Sequence, residues 1–183
     1  MALRGWILVP AMAVVFIGGV IAGSSPETRL PGPYRAAAEE SSIDNQVIGV
    51  GNWAATNLGL DNRMVADRTL TNVMGSYGGQ RLITNLSDNV SVSGLFLKYN
   101  LNAEDCELVA DQKIKYILID KRITNALPIL GFYFESWEQQ IVKFPPPVNL
   151  AALEKFDEMR GISRFYDSGD IVIYDIGKLT CAP

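Results

Sequence analysis

The segment Lys115-Tyr-Ile-Leu-Ile-Asp120 is the strongest strand signal in this chain. Four consecutive apolar residues lie between a lysine and an aspartate, so neither face of the segment is polar. Such a strand is typical of a parallel sheet that helices cover on both sides, because both of its faces must be buried. The segment therefore predicts the central strand of an α/β domain.

The residues before this strand alternate between helical and extended patterns. An apolar stripe at helical spacing, closed by Gly59, predicts a helix over residues 35–57. Asn102 is a suitable cap for a later helix, and acidic residues in the first turn of that helix suit its dipole. The other predicted elements are strands at 63–68 and 81–84, a short helical stretch at 72–79, a polar loop at 85–93 and the capped helix at 103–112.

The C-terminal residues predict a helix followed by a β-hairpin. Three prolines at 145–147 interrupt the chain, and apolar residues at helical spacing predict a helix over 150–159. Two β-rich runs, 162–166 and 171–176, then flank the turn Asp167-Ser-Gly-Asp170. This order of elements predicts a three-layer α/β domain with a mostly parallel sheet and an antiparallel edge.

The N-terminal segment is long and apolar enough to cross a membrane. Residues 5–23 carry no charge, and their number is close to the roughly 20 residues that a spanning helix needs. Arg4 precedes them, so the positive-inside tendency places the rest of the chain outside the cytoplasm, although Arg29 and Arg35 weaken the asymmetry. Two alternatives stay open: a cleaved signal peptide, or the last span of a longer parent protein.

The chain is therefore divided into three parts. Residues 1–23 form a transmembrane anchor (or signal peptide), 24–34 a linker rich in Pro and Gly, and 35–183 an extracytoplasmic α/β domain at the cell surface or in the periplasm. The membrane is the partner predicted for residues 5–23.

Composition excludes several functional classes. The net charge is −4 with scattered basic residues, so no nucleic-acid surface is expected. Histidine is absent, which removes the usual neutral-pH base and the commonest metal ligand. We predict no metal and no cofactor. Cys106 and Cys181 either form a disulfide, worth about 4 kcal/mol by the chain-entropy model, or remain free thiols.

Charged residues follow two predicted strands. Asp67 with Arg68, and Asp120 with Lys121 and Arg122, lie where the C-terminal ends of parallel strands meet. Ligands of open α/β sheets bind at that edge. The residues predict either a phosphate or sugar site or, as the more ordinary alternative, ion pairs between strand ends.

Two further residues are candidates for contact with a sugar. Tyr77 lies in the glycine-rich segment 75–79, which lacks the spacing of a phosphate-binding loop. Glu135 lies among aromatic residues at 131–138, where rings and carboxylates together suit a carbohydrate. A tight turn at the helix end and core packing, respectively, are the structural alternatives.

Several segments resemble one family of membrane enzymes. They cover most of the domain and are GNWAATNLG (51–59), RMVADR (63–68), MGSYGGQ (74–80), KYILIDKRI (115–123), LPILGFYFE (127–135) and KFDEMRGISRFYDSGDIVIYDI (155–176). In these segments the chain is similar to the C-terminal extracytoplasmic region of bacterial polytopic glycosyltransferases that use polyprenyl-phosphate sugars (GT-C type).

The resemblance implies a role in cell-envelope glycan or glycolipid assembly without catalysis. The catalytic acid of such enzymes lies in a loop near their first membrane spans, which this chain lacks. We expect a non-catalytic accessory or interaction subunit with a membrane-protein partner, and a glycan as a further candidate partner. The alternatives are a sugar-active enzyme that uses strand-end carboxylates and a purely structural subunit of a membrane assembly.

Overall fold

The structure is a computed structural model. The chain divides into two compact units, Met1–Tyr34 and Arg35–Pro183. The structure describes residues 43–125, 133–134 and 147–181, together with Met12 and Val14, which are helical and exposed. Within those ranges no helix has both the length and the hydrophobicity of a membrane span. The predicted anchor lies otherwise outside the described residues and stays a prediction.

A five-stranded sheet in the order β2-β1-β3-β5-β4 forms the centre of the domain. β2, β1 and β3 are parallel, and β5 is antiparallel to both β3 and β4. The strands are β1 Arg63–Val65, β2 Arg81–Leu82, β3 Tyr116–Asp120, β4 Ser163–Asp167 and β5 Ile171–Asp175. The α/β class and the antiparallel end are confirmed, whereas the sheet is only partly parallel.

Helices connect the strands and cover the sheet. They are α1 Asn45–Asn57, α2 Arg68–Ser76, α3 Asn85–Asp88, α4 Gly94–Leu97, α5 Ala103–Asp111 and α6 Leu150–Glu158, with a 3₁₀ helix at Lys121–Thr124. Capping residues set several of these starts. Asn102 and Asp105 form a reciprocal capping box at α5, as the sequence predicts for Asn102.

Two apolar clusters make the domain three-layered. One cluster lies between the sheet and the pair α1 and α2, and includes Val50, Val73 and Leu118. The other lies on the opposite face, against α4, α5 and α6, and includes Ile117 and Phe156. Every residue of β3 is buried, so the prediction of a central strand covered on both faces is confirmed. We call these faces the α1 side and the α5 side.

Several predicted elements have different bounds in the structure, among them the strand expected at 81–84, which ends at Leu82. The helix expected from residue 35 begins at Asn45 in the described part, because the Asp44 side chain accepts a hydrogen bond from the Val47 amide and caps it. The strand expected to reach Arg68 ends at Val65, and α2 begins before residue 72. The loop predicted at 85–93 contains the single-turn helix α3, capped by Thr84.

The C-terminal hairpin matches its prediction and has an irregular outer strand. β4 and β5 enclose the turn at 168–170, and Phe165 interrupts their register as a bulge. Arg164 forms ion pairs with Asp157 and Asp167 on the exposed side of β4. The C-terminal tail is fixed to α5 by a disulfide between Cys106 and Cys181, whose Cα atoms are 6.0 Å apart.

Candidate functional site

The C-terminal ends of β1 and β3 form the edge at which a ligand site is expected. These strands are neighbours in parallel register, with Val65 opposite Ile117. The chain leaves β1 into α2 on the α1 side, whereas Ile123, just after β3, packs on the α5 side. In open α/β sheets, ligands bind where neighbouring strands connect to opposite faces. The predicted strand-end residues Asp67 and Asp120 both lie at this edge.

Asp120 is fully engaged in an ion pair. Arg122 donates from Nε to Oδ1 at 2.7 Å and from Nη2 to Oδ2 at 2.6 Å, and its backbone amide also donates to Oδ1. Nη1 of Arg122 reaches Asp44 Oδ2 at 3.3 Å and so connects β3 to the start of α1. Both Asp120 and Arg122 are buried. A two-point pair of this kind holds the carboxylate in one orientation.

Asp67 differs from Asp120, although it lies beside it. Its Oδ1 accepts hydrogen bonds from the amides of Thr69 (2.9 Å) and Leu70 (3.2 Å), which makes it the N-cap of α2. Its Oδ2 is buried and has no hydrogen-bond partner in the described part of the chain. Burial, and then the nearby Asp120 carboxylate, raise the pKa of Asp67 to about 7. Near neutral pH this buried carboxyl is therefore partly protonated.

Arg68 lies at a small cleft on the same edge, which we call the Arg68 cleft. The cleft is lined by Ala66, Arg68, Thr71, Ile83, Thr84, Val92 and Phe134. Arg68 is half-buried, and its backbone amide donates to the Tyr133 carbonyl. Its guanidinium makes no hydrogen bond or ion pair to the residues that the structure describes. One basic residue, two threonines and several apolar residues therefore line the cleft.

Of the remaining predicted site residues, the structure describes Lys121 and Tyr77, and neither side chain forms a hydrogen bond or ion pair with Asp67 or Asp120. Lys121 forms an ion pair with Glu154 of α6 at 3.4 Å. Tyr77 caps the C-terminal end of α2, whereas Asp67 caps its N-terminal end, so a nine-residue helix separates them. Glu135 lies outside the described residues. Its neighbours Tyr133 and Phe134 are buried in the α5-side cluster, which favours core packing for those two rings.

Sequence patterns missed Asp44 as a member of this edge. An aspartate before an apolar helical stripe signals a helix cap, and the sequence carries that signal. Its contact with Arg122 joins residues 78 positions apart and has no sequence signature. In the described ranges there is also no group of three Asp, Glu, Cys or His side chains that fits a metal ion.

Comparisons with known proteins do not assign this chain to a family. The resemblance to polyprenyl-phosphate-sugar glycosyltransferases therefore stays a prediction. Neither the scan against protein-family models nor the search of curated proteins found a match to this chain.

Proposed function

We propose that this chain is a non-catalytic extracytoplasmic domain, tethered to the membrane by residues 5–23, that acts as an accessory subunit of a membrane complex. The observation that carries the proposal is the disulfide between Cys106 and Cys181. These are the only two cysteines of the sequence, and disulfides persist mainly in oxidising compartments outside the cytoplasm. The uncharged N-terminal segment supplies a means of export and attachment.

The state of the strand-end carboxylates supports a binding role over catalysis. A general acid or base must reach the proton that it transfers. Asp120 has both oxygens bound by Arg122, and Asp67 is only 3% exposed. The C-terminal edge of the sheet, with the Arg68 cleft, is the surface that we assign to a partner protein or glycan. Work in cell-envelope glycan assembly is the biological setting that the sequence resemblance suggests.

A thiol-labelling experiment on intact cells tests the compartment. Cells are treated with a thiol-reactive mass tag before and after reduction, then fractionated with an alkaline wash. We expect the full chain in the washed membrane fraction, with no labelling until reduction and two tags afterwards. The Cys181→Ser variant is the control, because its single thiol must label without reduction. Intact chain in the cytosol with two freely reactive thiols would refute the proposal.

A second experiment tests the binding edge. The full chain is crosslinked in its membrane and purified in mild detergent, with Arg68→Glu compared with Arg160→Glu. Arg160 is exposed and lies outside the cleft, so only the Arg68 variant should lose a crosslinked partner. Equal recovery of that partner with both variants would exclude this edge as the contact.

A sugar-active enzyme is the second candidate, and Asp67 is the observation that favours it. A buried carboxyl with a pKa of about 7 at a ligand-binding edge has the properties of a general acid. An enzyme that uses Asp67 would lose its turnover in Asp67→Asn while keeping its fold. Glycan release or transfer by the wild-type chain, abolished in this variant, would replace the accessory proposal with the enzymatic one.

A further inference from the structure

Arg68 stands apart from the other arginines of the described structure. Most of the others have a carboxylate partner: Arg63 and Arg81 contact Asp88, Arg122 contacts Asp120 and Asp44, and Arg164 contacts Asp157 and Asp167. Arg160 has no such partner in the described ranges, but it is exposed to solvent. Arg68 is half-buried with no carboxylate within ion-pair distance among the described residues. Partial burial of a cation without a counter-charge costs free energy, and a bound anion would offset that cost.

The neighbouring Asp67 does not supply the missing counter-charge. Its Oδ1 is directed to the amides of Thr69 and Leu70, and no hydrogen bond joins it to the Arg68 guanidinium in the part of the chain that the structure describes. Its raised pKa means that it carries only part of a negative charge near neutral pH. The Arg68 guanidinium therefore has no full counter-charge among the residues that the structure describes.

The walls of the cleft limit what can enter it. Ile83, Val92 and Phe134 are each at most 3% exposed, so they offer little surface to the apolar body of a ligand. Thr71 Oγ1 makes one long bond, 3.4 Å to the Ala66 carbonyl, and its hydroxyl can turn to a new acceptor. The Thr84 hydroxyl is already engaged with Ser87. The residues that line the cleft thus include one arginine without a carboxylate partner among the described residues and one threonine whose hydroxyl can turn.

We propose that Arg68 and the Thr71 hydroxyl bind the oxyanion group of a small ligand, either a phosphate monoester or a carboxylate. A guanidinium matches both groups through paired N–H donors. The remainder of the ligand lies outside the cleft, along the C-terminal edge of the sheet. The inference rests on the proposed function in one respect: it names the chemistry that the proposed binding edge recognises.

Thermal unfolding of the purified full chain in mild detergent provides the test. Inorganic phosphate and acetate are titrated at constant ionic strength, with chloride as the reference. One Arg–oxyanion contact at a partly exposed site corresponds to a Kd on the order of 1 mM. At about ten times that concentration, the unfolding temperature should rise by about 4 °C. A rise with phosphate alone identifies a phosphate ester, and a rise with acetate alone identifies a carboxylate.

Matched variants decide whether the site is the cause. Arg68→Gln should weaken binding at least tenfold and Thr71→Val about threefold, whereas Arg160→Gln should bind as the wild type does. The inference is wrong if neither anion exceeds chloride, if Arg68→Gln retains the full rise, or if Arg160→Gln loses it equally. Because the measurement uses purified protein, its result is independent of the compartment in which the chain resides, which thiol labelling tests separately.

Discussion

Replacing Asp67 with asparagine should stabilise the domain in a pH-dependent manner. The asparagine keeps an oxygen that accepts from the Thr69 and Leu70 amides, and asparagine and aspartate cap helices about equally well. It removes the charge that burial and Asp120 disfavour. The variant therefore isolates the cost of ionising this carboxyl inside the fold.

The magnitude follows from the pKa of Asp67 in the folded and unfolded states. The folded value is about 7 and the reference value is 3.8. At 1.36 kcal/mol per pKa unit, the difference corresponds to about 4 kcal/mol. Between these values the folded protein holds a proton that the unfolded chain has lost, so wild-type stability falls as pH rises from about 4 to about 7. The asparagine of the variant does not titrate. The unfolding free energy of the variant relative to that of the wild type should therefore grow by up to about 4 kcal/mol between about pH 4 and pH 7.

Urea unfolding at pH 4.5, 6, 7 and 8 measures this advantage. Trp53, which packs on Tyr166 with ring centroids 4.8 Å apart, provides a fluorescence signal. The amide group placed near Oδ2 needs its own partner, which subtracts roughly 1–3 kcal/mol at every pH, so the pH slope is the diagnostic quantity. Asp111→Asn, at an exposed residue, is the control and should parallel the wild type. If Asp67→Asn also parallels the wild type, Asp67 does not titrate near neutral pH and the argument fails.

Three further changes test other parts of the structure. In urea melts, Lys155→Met should stabilise the domain by up to about 3 kcal/mol at pH 7 and not at pH 11. Burial lowers the pKa of Lys155 to about 8, so the cost of its buried charge disappears as pH rises from 8 to 10.5. A stability difference that does not change with pH would contradict this. Reducing the bond between Cys106 and Cys181, 75 residues apart, should lower the unfolding free energy by about 4 kcal/mol, and an unchanged urea midpoint would show that the bond contributes nothing. Gly78→Ala should lower stability by about 1–3 kcal/mol, since the added Cβ would lie 2.7 Å from the Met74 carbonyl oxygen, and a wild-type melting temperature would refute the clash.

Local patterns are sufficient to predict the elements whose burial is continuous or whose caps are strong. β3 is predictable because every residue of Tyr116–Asp120 is apolar or terminal and buried. α5 is predictable because its cap is local in sequence: the Asn102 side chain accepts a hydrogen bond from the Asp105 amide in the first turn. α3 is not, since a four-residue helix has no periodicity and depends on the Thr84 side chain. The start of α2 is hidden because Asp67, its cap, follows only a three-residue strand and resembles a continuation of that strand.

The candidate site is predictable only in its location. Strand ends indicate Asp67 and Asp120 because parallel strands share an edge. The pairing of Arg122 with Asp120, and its second contact with Asp44, depend on tertiary packing between distant segments. The lack of a carboxylate partner for Arg68 among the described residues has the same origin. Sequence patterns specify which charges reach an edge, but not how those charges neutralise one another.

The two edge strands of the sheet affect whether copies of this domain can associate at high concentration. One border is β2, only two residues long, and the other is β4, interrupted at Phe165 and flanked by the ion pairs of Arg164. Among the residues that the structure describes, neither border offers a long, regular row of free backbone groups on which a second copy could extend the sheet. Many copies packed side by side would therefore resist fibre-like polymerisation, even at high local concentration.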